Sequence, residues 1–335
     1  MRILFSGGGS GGHLMPLYSL QRAMKQSDCL YYLPPNDFDR DFANTYKLPH
    51  VFFSQTKFYF GSLFLVCKKI RGAFLEVAAE YKRNPWSLVV STGGYAAVPV
   101  CMHAVVNRIP LYLVEPNSVA GKVNSLFAPF AKKVYTHFPY TKKLVWARTL
   151  NYGNPLREEI QRLEEPGEAL LAFGASLGAQ SINLLMSRLV KNELSCPVIW
   201  ITGAKEYSAY SHLGRPGVTI LPFSKEIDSF YRQAKLVIGR AGAGTVAEIQ
   251  ELGIPSILIP YPHHKDRQQF HNAGYLVENG SSIIKTEDEL PESIDEILEI
   301  LAPNSVVYAS LLRQAKALPP KNAAQRIAKD IMQVP

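Results

Sequence analysis

Twelve short apolar runs, rich in β-branched and aromatic residues, limit what this 335-residue chain can fold into. In the first half they are Arg2–Ser6, Leu30–Leu33, Val51–Ser54, Leu88–Ser91, Leu111–Val114 and Val134–His137. In the second half they are Leu170–Phe173, Val198–Thr202, Val218–Pro222, Leu236–Ile238, Ser256–Pro260 and Ser282–Ile284. The runs do not alternate with polar residues, and amphipathic helical stretches separate them. A strand apolar on both faces must be covered on both, which describes a parallel sheet wrapped by helices. A polar break at Leu163–Glu168, punctuated by Pro166 and Gly167, divides the two series. The expectation is an α/β chain of two tandem Rossmann-like doubly wound domains, residues 1–163 and 164–335. Their ligand crevice should lie at the carboxyl ends of the strands, between the domains. The helical stretch from Glu287 to Met332 could send its last helix back to the first domain.

Composition narrows the class. Nearly half the residues are apolar and 19% are charged, as in a globular protein. Cys29, Cys67, Cys101 and Cys196 are widely spaced, unlike a disulfide framework or a zinc site. The opening MRILFSGGG reads as a strand and a turn, not a signal peptide. No run reaches the roughly 20 apolar residues that span a bilayer. Residues 1–150 carry 18 Lys/Arg against 7 Asp/Glu, while residues 151–335 carry 18 against 21. The first half is therefore suited to an anionic surface. Its cations are dispersed, with no RNA-binding aromatic motif and no helix-turn-helix pattern, which argues against nucleic acid.

Glycine-rich turns mark the candidate site. Gly7-Gly8-Gly9-Ser10-Gly11-Gly12-His13 lies between the first strand and a helix, where backbone N–H groups can meet an anion. It lacks the dinucleotide spacing and the acidic residue about 20 positions on, which disfavours NAD. His13, at the mouth of the crevice, is a candidate general base. Ser91-Thr92-Gly93-Gly94-Tyr95 supplies a second loop, and two such loops suit an acceptor bearing its own diphosphate, at Gly9, Gly93, Gly94 and Tyr95. Glu115 is either a second base or an orienter of the acceptor. In the second half, Thr245 and the backbone around it can hold a diphosphate, and Glu248 can bind the ribose hydroxyls. His263, His264 and Asp266 lack a metal-binding spacing, so neither a metal nor another cofactor is expected.

Taken in order, GGSGGH, STGGY, EPNSVAGKVN, YGNPLR, GASLGAQSIN and RAGAGTVAEI followed by HKDRQQ resemble the MurG family of inverting glycosyltransferases, of GT-B fold. The resemblance runs from Gly8 to about Asn272. It implies transfer of N-acetylglucosamine from UDP-N-acetylglucosamine to lipid I, giving lipid II for peptidoglycan synthesis. Donor contacts would come from Ser10, Gly11, Gly12, Asn117, Arg157, Ser176, Ser224, Ala243, Gly244, Thr245, Val246, Ala247, Glu248, Gln268 and Gln269. The chain departs from the family at Phe173–Leu177, Pro116 and Ser224–Glu226. It would work at the cytoplasmic face of the inner membrane, against anionic lipid and other cell-wall synthesis proteins. Phe58, Phe60, Leu63 and Phe64, with basic residues following, form the expected membrane patch. The alternatives are transfer to another lipid such as diacylglycerol, a UDP-sugar-binding protein without turnover, and an epimerase.

Overall fold

A computed structural model describes residues 1–25, 28–54, 63–174, 178–224, 226–264 and 266–333, the side chains of 63–65 excepted. Phe58, Phe60 and Ser176 lie outside the described residues. Leu63 and Phe64 open a helix, with side chains likewise outside the description.

The chain divides into two compact units. The first, Met1–Arg157 with the segment from Lys321 on, begins β1 (Arg2–Ser6), α1 (Gly11–Ala23), β2 (Asp28–Leu33), α2 (Asp37–Thr45) and β3 (His50–Phe52). It continues through α3 (Leu63–Arg83), β4 (Leu88–Ser91), α4 (Val98–Val106), β5 (Leu111–Glu115), α5 (Lys122–Phe127), β6 (Lys133–Thr136) and β7 (Thr149–Leu150). Its strands form one parallel sheet in the order β3-β2-β1-β4-β5-β6-β7. Successive residues of β1 point to opposite faces, as the pleat requires. Ile3 and Phe5 pack with Leu14 and Leu17 of α1, whereas Leu4 packs with Val77 of α3 and Val100 of α4. Only β7, two residues long, is absent from the sequence reading.

The second unit, Glu158–Pro320, runs β8 (Ala169–Phe173), α6 (Gln180–Leu189), β9 (Val198–Ile201), α7 (Tyr207–Tyr210), β10 (Val218–Leu221) and α8 (Ile227–Gln233). It continues with β11 (Ala234–Gly239), α9 (Ala243–Leu252), β12 (Ser256–Leu258), α10 (Gln268–Glu278), β13 (Ser282–Ile284), α11 (Ile294–Leu301) and α12 (Val306–Ala317). Its parallel sheet has the order β10-β9-β8-β11-β12-β13. Strand order therefore reverses between β1 and β4 in one unit and between β8 and β11 in the other. Loops leaving a reversal point diverge and open a crevice at the strand ends. The four glycine-rich turns follow these four strands.

The break at Leu163–Glu168, expected to divide the two domains, belongs to the second unit. Leu163 N–H donates to Leu252 O at 3.2 Å, and Gly167 N–H to Ala234 O at 3.1 Å. A side chain on Gly167 would collide with the backbone of Gln233. Pro166-Gly167 thus marks a close packing contact, and the change of unit falls at Arg157/Glu158.

The last helix, α13 (Ala323–Met332), belongs to the first unit. Ile327 and Ile331 enter the core with Leu14 and Leu17, and Asp330 accepts from Lys133 Nζ at 2.8 Å and Tyr135 OH at 2.7 Å. Ile327→Ala should destabilise the first unit by about 2–5 kcal/mol, as cavity-forming truncations do. Urea denaturation should show its transition moving while that of the second unit stays. An unmoved first transition would show that α13 contributes nothing to that core.

Candidate active site

The first unit builds its site on two glycine turns. Gly8 and Gly9 have φ of 140° and 82°, which side chains adopt only at a cost. Asp39, fully buried near the start of α2, accepts the Gly9 N–H on its two oxygens at 3.1 and 2.9 Å. Burial raises the Asp39 pKa, opposed by the bond from Gly9. Gly9, expected at the acceptor diphosphate, therefore commits its N–H to a carboxylate. His13 N–H donates to Ser10 O at 3.1 Å, so the donors left at this end are the first-turn N–H groups of Gly11 and Gly12. Ser10 precedes them in extended conformation, with no side-chain cap bond.

His13, in that first turn, reaches the other glycine turn. Its Nδ1 lies 3.1 Å from Thr92 O, and Thr92 Oγ1 donates back to His13 O at 3.0 Å. A carbonyl can only accept, so Nδ1 carries the proton and Nε2 keeps its lone pair. A Cβ on Gly94 would stand 3.6 Å from that Nε2, so this nitrogen faces the second turn. Burial lowers the His13 pKa against the opposing pull of the Thr92 bond, favouring the neutral ring. Tyr95, partly exposed, opens the helical turn after Gly94 and approaches Gly9.

Glu115, considered as a second base, is spoken for. Only 2% exposed, it accepts from Asn117 N (3.0 Å), Asn117 Nδ2 (3.1 Å), Gly121 N (2.9 Å) and Asn124 Nδ2 (2.9 Å). Burial raises its pKa and the four bonds oppose the rise. Both of its oxygens are engaged in holding the segment 117–124. Asn117 is held in that network. Asn124 Nδ2 also lies 3.4 Å from Thr92 O, which links the Glu115 cluster to the carbonyl that holds His13.

The second unit holds a cavity of about 770 Å³. Gly174, Gly242, Thr245 and Gln269 line it, together with Arg240 and Glu287, which the sequence reading did not single out. Helix α9 starts after Gly242 without a side-chain cap, so its first-turn N–H groups at Ala243, Gly244 and Thr245 are left for an anion. Glu248, one turn further, accepts from the OH of the fully buried Tyr231 at 2.9 Å. Arg240 donates to Ile259 O (3.2 Å), Pro260 O (3.3 Å), Ser181 Oγ (3.1 Å) and Glu287. Gln269 Oε1 accepts from Tyr261 N at 2.9 Å, and Gln268 starts α10 beside it. Ser224 Oγ accepts from Glu226 N at 2.9 Å just before α8. Val246 and Ala247 are buried along α9, and Arg157 is the half-buried last residue of the first unit before Glu158. Among the described residues, no three His, Cys, Asp or Glu side chains gather as metal ligands would.

Residues 3–136 match the glycosyltransferase family 28 N-terminal domain, and residues 169–331 match the family's C-terminal domain. The chain belongs to glycosyltransferase family 28. A UDP-N-acetylglucosamine--N-acetylmuramyl-(pentapeptide) pyrophosphoryl-undecaprenol N-acetylglucosamine transferase of Protochlamydia amoebophila is 31% identical over 328 residues, covering 90% of this chain and 87% of the relative. The same-named protein of Aquifex aeolicus is 26% identical over 98% of this chain and 99% of its own. The crystal structure of Acinetobacter baumannii MurG is similar with a TM-score of 0.80 and 25% identity, over 99% of each chain. The two sheets are thus the Rossmann-like halves of a GT-B glycosyltransferase.

Within this family 28 site, Asp39 and Tyr231 escaped the sequence reading, as Arg240 and Glu287 did. No local pattern marks them, because each acts through a partner on another element. If Glu115 is structural, Glu115→Gln should lower kcat less than loss of His13 and leave the pH profile unmoved. The amide would face N–H donors with an N–H of its own, costing about 1–3 kcal/mol of stability. Loss of the acid limb of the rate profile in Glu115→Gln would restore it as the base.

Proposed function

We propose that this chain transfers N-acetylglucosamine from UDP-N-acetylglucosamine to the C4 hydroxyl of lipid I, giving lipid II for peptidoglycan synthesis, with inversion at the anomeric carbon. The observation that carries the reading is His13, whose Nδ1 is held on Thr92 O and whose Nε2 faces the Gly93-Gly94 turn. His13 Nε2 takes the proton of the acceptor hydroxyl as its oxygen attacks C1 of the donor sugar. The C1–oxygen bond to UDP breaks, and the departing diphosphate takes the bonding pair. The first-turn N–H groups of α9, with Arg157, receive that charge. Glu248, its orientation held by Tyr231, grips the ribose hydroxyls, and Gln268 and Gln269 serve the sugar.

The same reading puts the protein at the cytoplasmic face of the inner membrane, in contact with anionic lipid. Among the described residues, no helix is long and apolar enough to cross a membrane. Leu75, Val106, Leu126 and Phe130 of the first unit are exposed. Phe130 also lines a groove of about 410 Å³ with Arg108 and Lys132, a mixture of apolar and basic groups suited to a lipid surface.

His13→Ala should depress turnover by about 10²–10⁴-fold with little change in UDP affinity. The acid limb of kcat/KM in the wild type should lie below pH 6.5, because burial lowers the His13 pKa in the free protein and only the neutral ring accepts a proton. Turnover assayed with lipid I and UDP-N-acetylglucosamine, product identified by mass, checks both; near-normal turnover of the variant would remove His13 as base.

Glu248→Ala should weaken UDP binding by about 10–100-fold, the worth of one or two charge-assisted hydrogen bonds. Calorimetry with UDP and 2′-deoxy-UDP checks it: the variant should lose its preference for the ribose form. Unchanged UDP affinity in a folded variant would leave Glu248 as no more than a helix-end acid.

A further inference from the structure

The stretch between Glu115 and Glu158 holds seven Lys or Arg and no Asp or Glu. Within it the crossover from β6 to β7, residues 138–148, turns three large apolar side chains into solvent. Tyr140 is 91% exposed, Val145 58% and Trp146 90%.

This crossover is a built feature. Lys142 N–H donates to Ser118 O at 2.8 Å, Ala120 N–H to Lys142 O at 3.0 Å, and Val134 N–H to Arg148 O at 2.9 Å. Leu144 and Ala147 pack on the core beneath, which turns their neighbours Val145 and Trp146 outward. Lys143 and Trp146 have φ of 68° and 54°, a left-handed conformation costly for residues bearing side chains. An indole held outward on such a backbone gains nothing from water. Lys142, Lys143 and Arg148 beside it are exposed. Indole and phenol rings favour the level of lipid headgroups, and cations favour anionic headgroups at the same depth.

We propose that residues 138–148 form a membrane-contact lip that seats Trp146 among the headgroups of an anionic bilayer. The proposal rests on the membrane reading above and gives it a location apart from residues 58–64. The lip is hydrogen-bonded to Ser118 and Ala120, in the segment that Glu115 shapes, so a bilayer docked on it would lie beside that loop. A nucleic acid would ask for a basic groove with successive stacking rings. A loop tip with Val145 beside Trp146 offers apolar depth instead.

The chain has three tryptophans, and Trp86 and Trp200 are 2% and 0% exposed, so a change in solvent-dependent emission reports Trp146. Phosphatidylglycerol vesicles should shift the emission of the full chain to shorter wavelength, and brominated acyl chains should quench it. Trp146→Phe should abolish the shift while flotation with the vesicles persists. Lys142→Gln, Lys143→Gln and Arg148→Gln together should lower partitioning about 10²-fold, at roughly fivefold per cation. Circular dichroism and UDP binding should be unchanged in each variant. If the wild type floats with anionic vesicles but its emission is unmoved, the lip is wrong and the membrane reading stands. If it does not float, both fail. A shift with a single-stranded oligonucleotide and none with vesicles would assign the surface to nucleic acid and overturn the proposal.

Discussion

The hydrogen bond between His13 Nδ1 and the Thr92 carbonyl, 3.1 Å long, ties together the two glycine turns of the first unit, and the arrangement of its candidate site depends on it. It exists because β1 and β4 are neighbours where strand order reverses, which brings the turns after them together. Gly7 must lack a side chain there, since a Cβ would run into Thr92 Oγ1. The carbonyl then settles the tautomer, and burial keeps the ring neutral. Glu115 acts at one remove. It holds Asn124 and the 117–121 backbone, and Asn124 lies against the same carbonyl. A buried carboxylate with four N–H partners is a rigid brace, whereas a catalytic base must have a lone pair to offer.

In the second unit the electrostatics are divided differently. A buried arginine lining a nucleotide-sized cavity invites assignment as a diphosphate partner. Arg240, however, donates to two carbonyls, to Ser181 and to Glu287, and Glu287 in turn accepts from Ser181 Oγ at 2.9 Å. Paired in this way, its guanidinium has little charge left for a phosphate. The first-turn N–H groups of α9, whose positions are set by the backbone, are the groups better placed to attract an anion there. Glu248 lies five residues into that helix, about 7.5 Å along its axis at the usual rise. One helix can therefore meet phosphate at its start and ribose a turn later, with Tyr231 fixing the carboxylate.

The fold was legible because unbroken apolar runs leave few alternatives to covered parallel strands, and all twelve became strands to within a few residues. Thr149–Leu150 was too short to show a pattern. The unit boundary was misplaced because Pro166-Gly167 looks the same in a linker as in a turn pressed against Gln233. His13, Thr245 and Glu248 could be singled out as candidates because glycine turns flag the ends of strands. Glu115 was only half read, since a carboxylate at a strand end gives no sign of whether its lone pairs are already taken. Asp39 and Tyr231 had no sign at all. Asp39 acts on Gly9, thirty residues away in sequence, through a contact that only the folded chain creates.

The two units place different side chains on the same device, a helix beginning after a glycine turn. Helix α9 carries its acid, Glu248, beyond the first turn, where it would not repel a phosphate held at the helix start. Helix α1 has no acid in its first turn and carries His13 there instead. The positive end of α1 that can hold an acceptor phosphate also disfavours a positive imidazole, which adds to the effect of burial. An acceptor diphosphate bound at that end would offset the dipole with its own negative charge, and the His13 pKa would rise. The imidazole would then become a stronger base only when an acceptor is present to be deprotonated. Since Gly9 already donates to Asp39 and His13 N–H to Ser10 O, this coupling would run through the N–H groups of Gly11 and Gly12, in the very turn that carries His13.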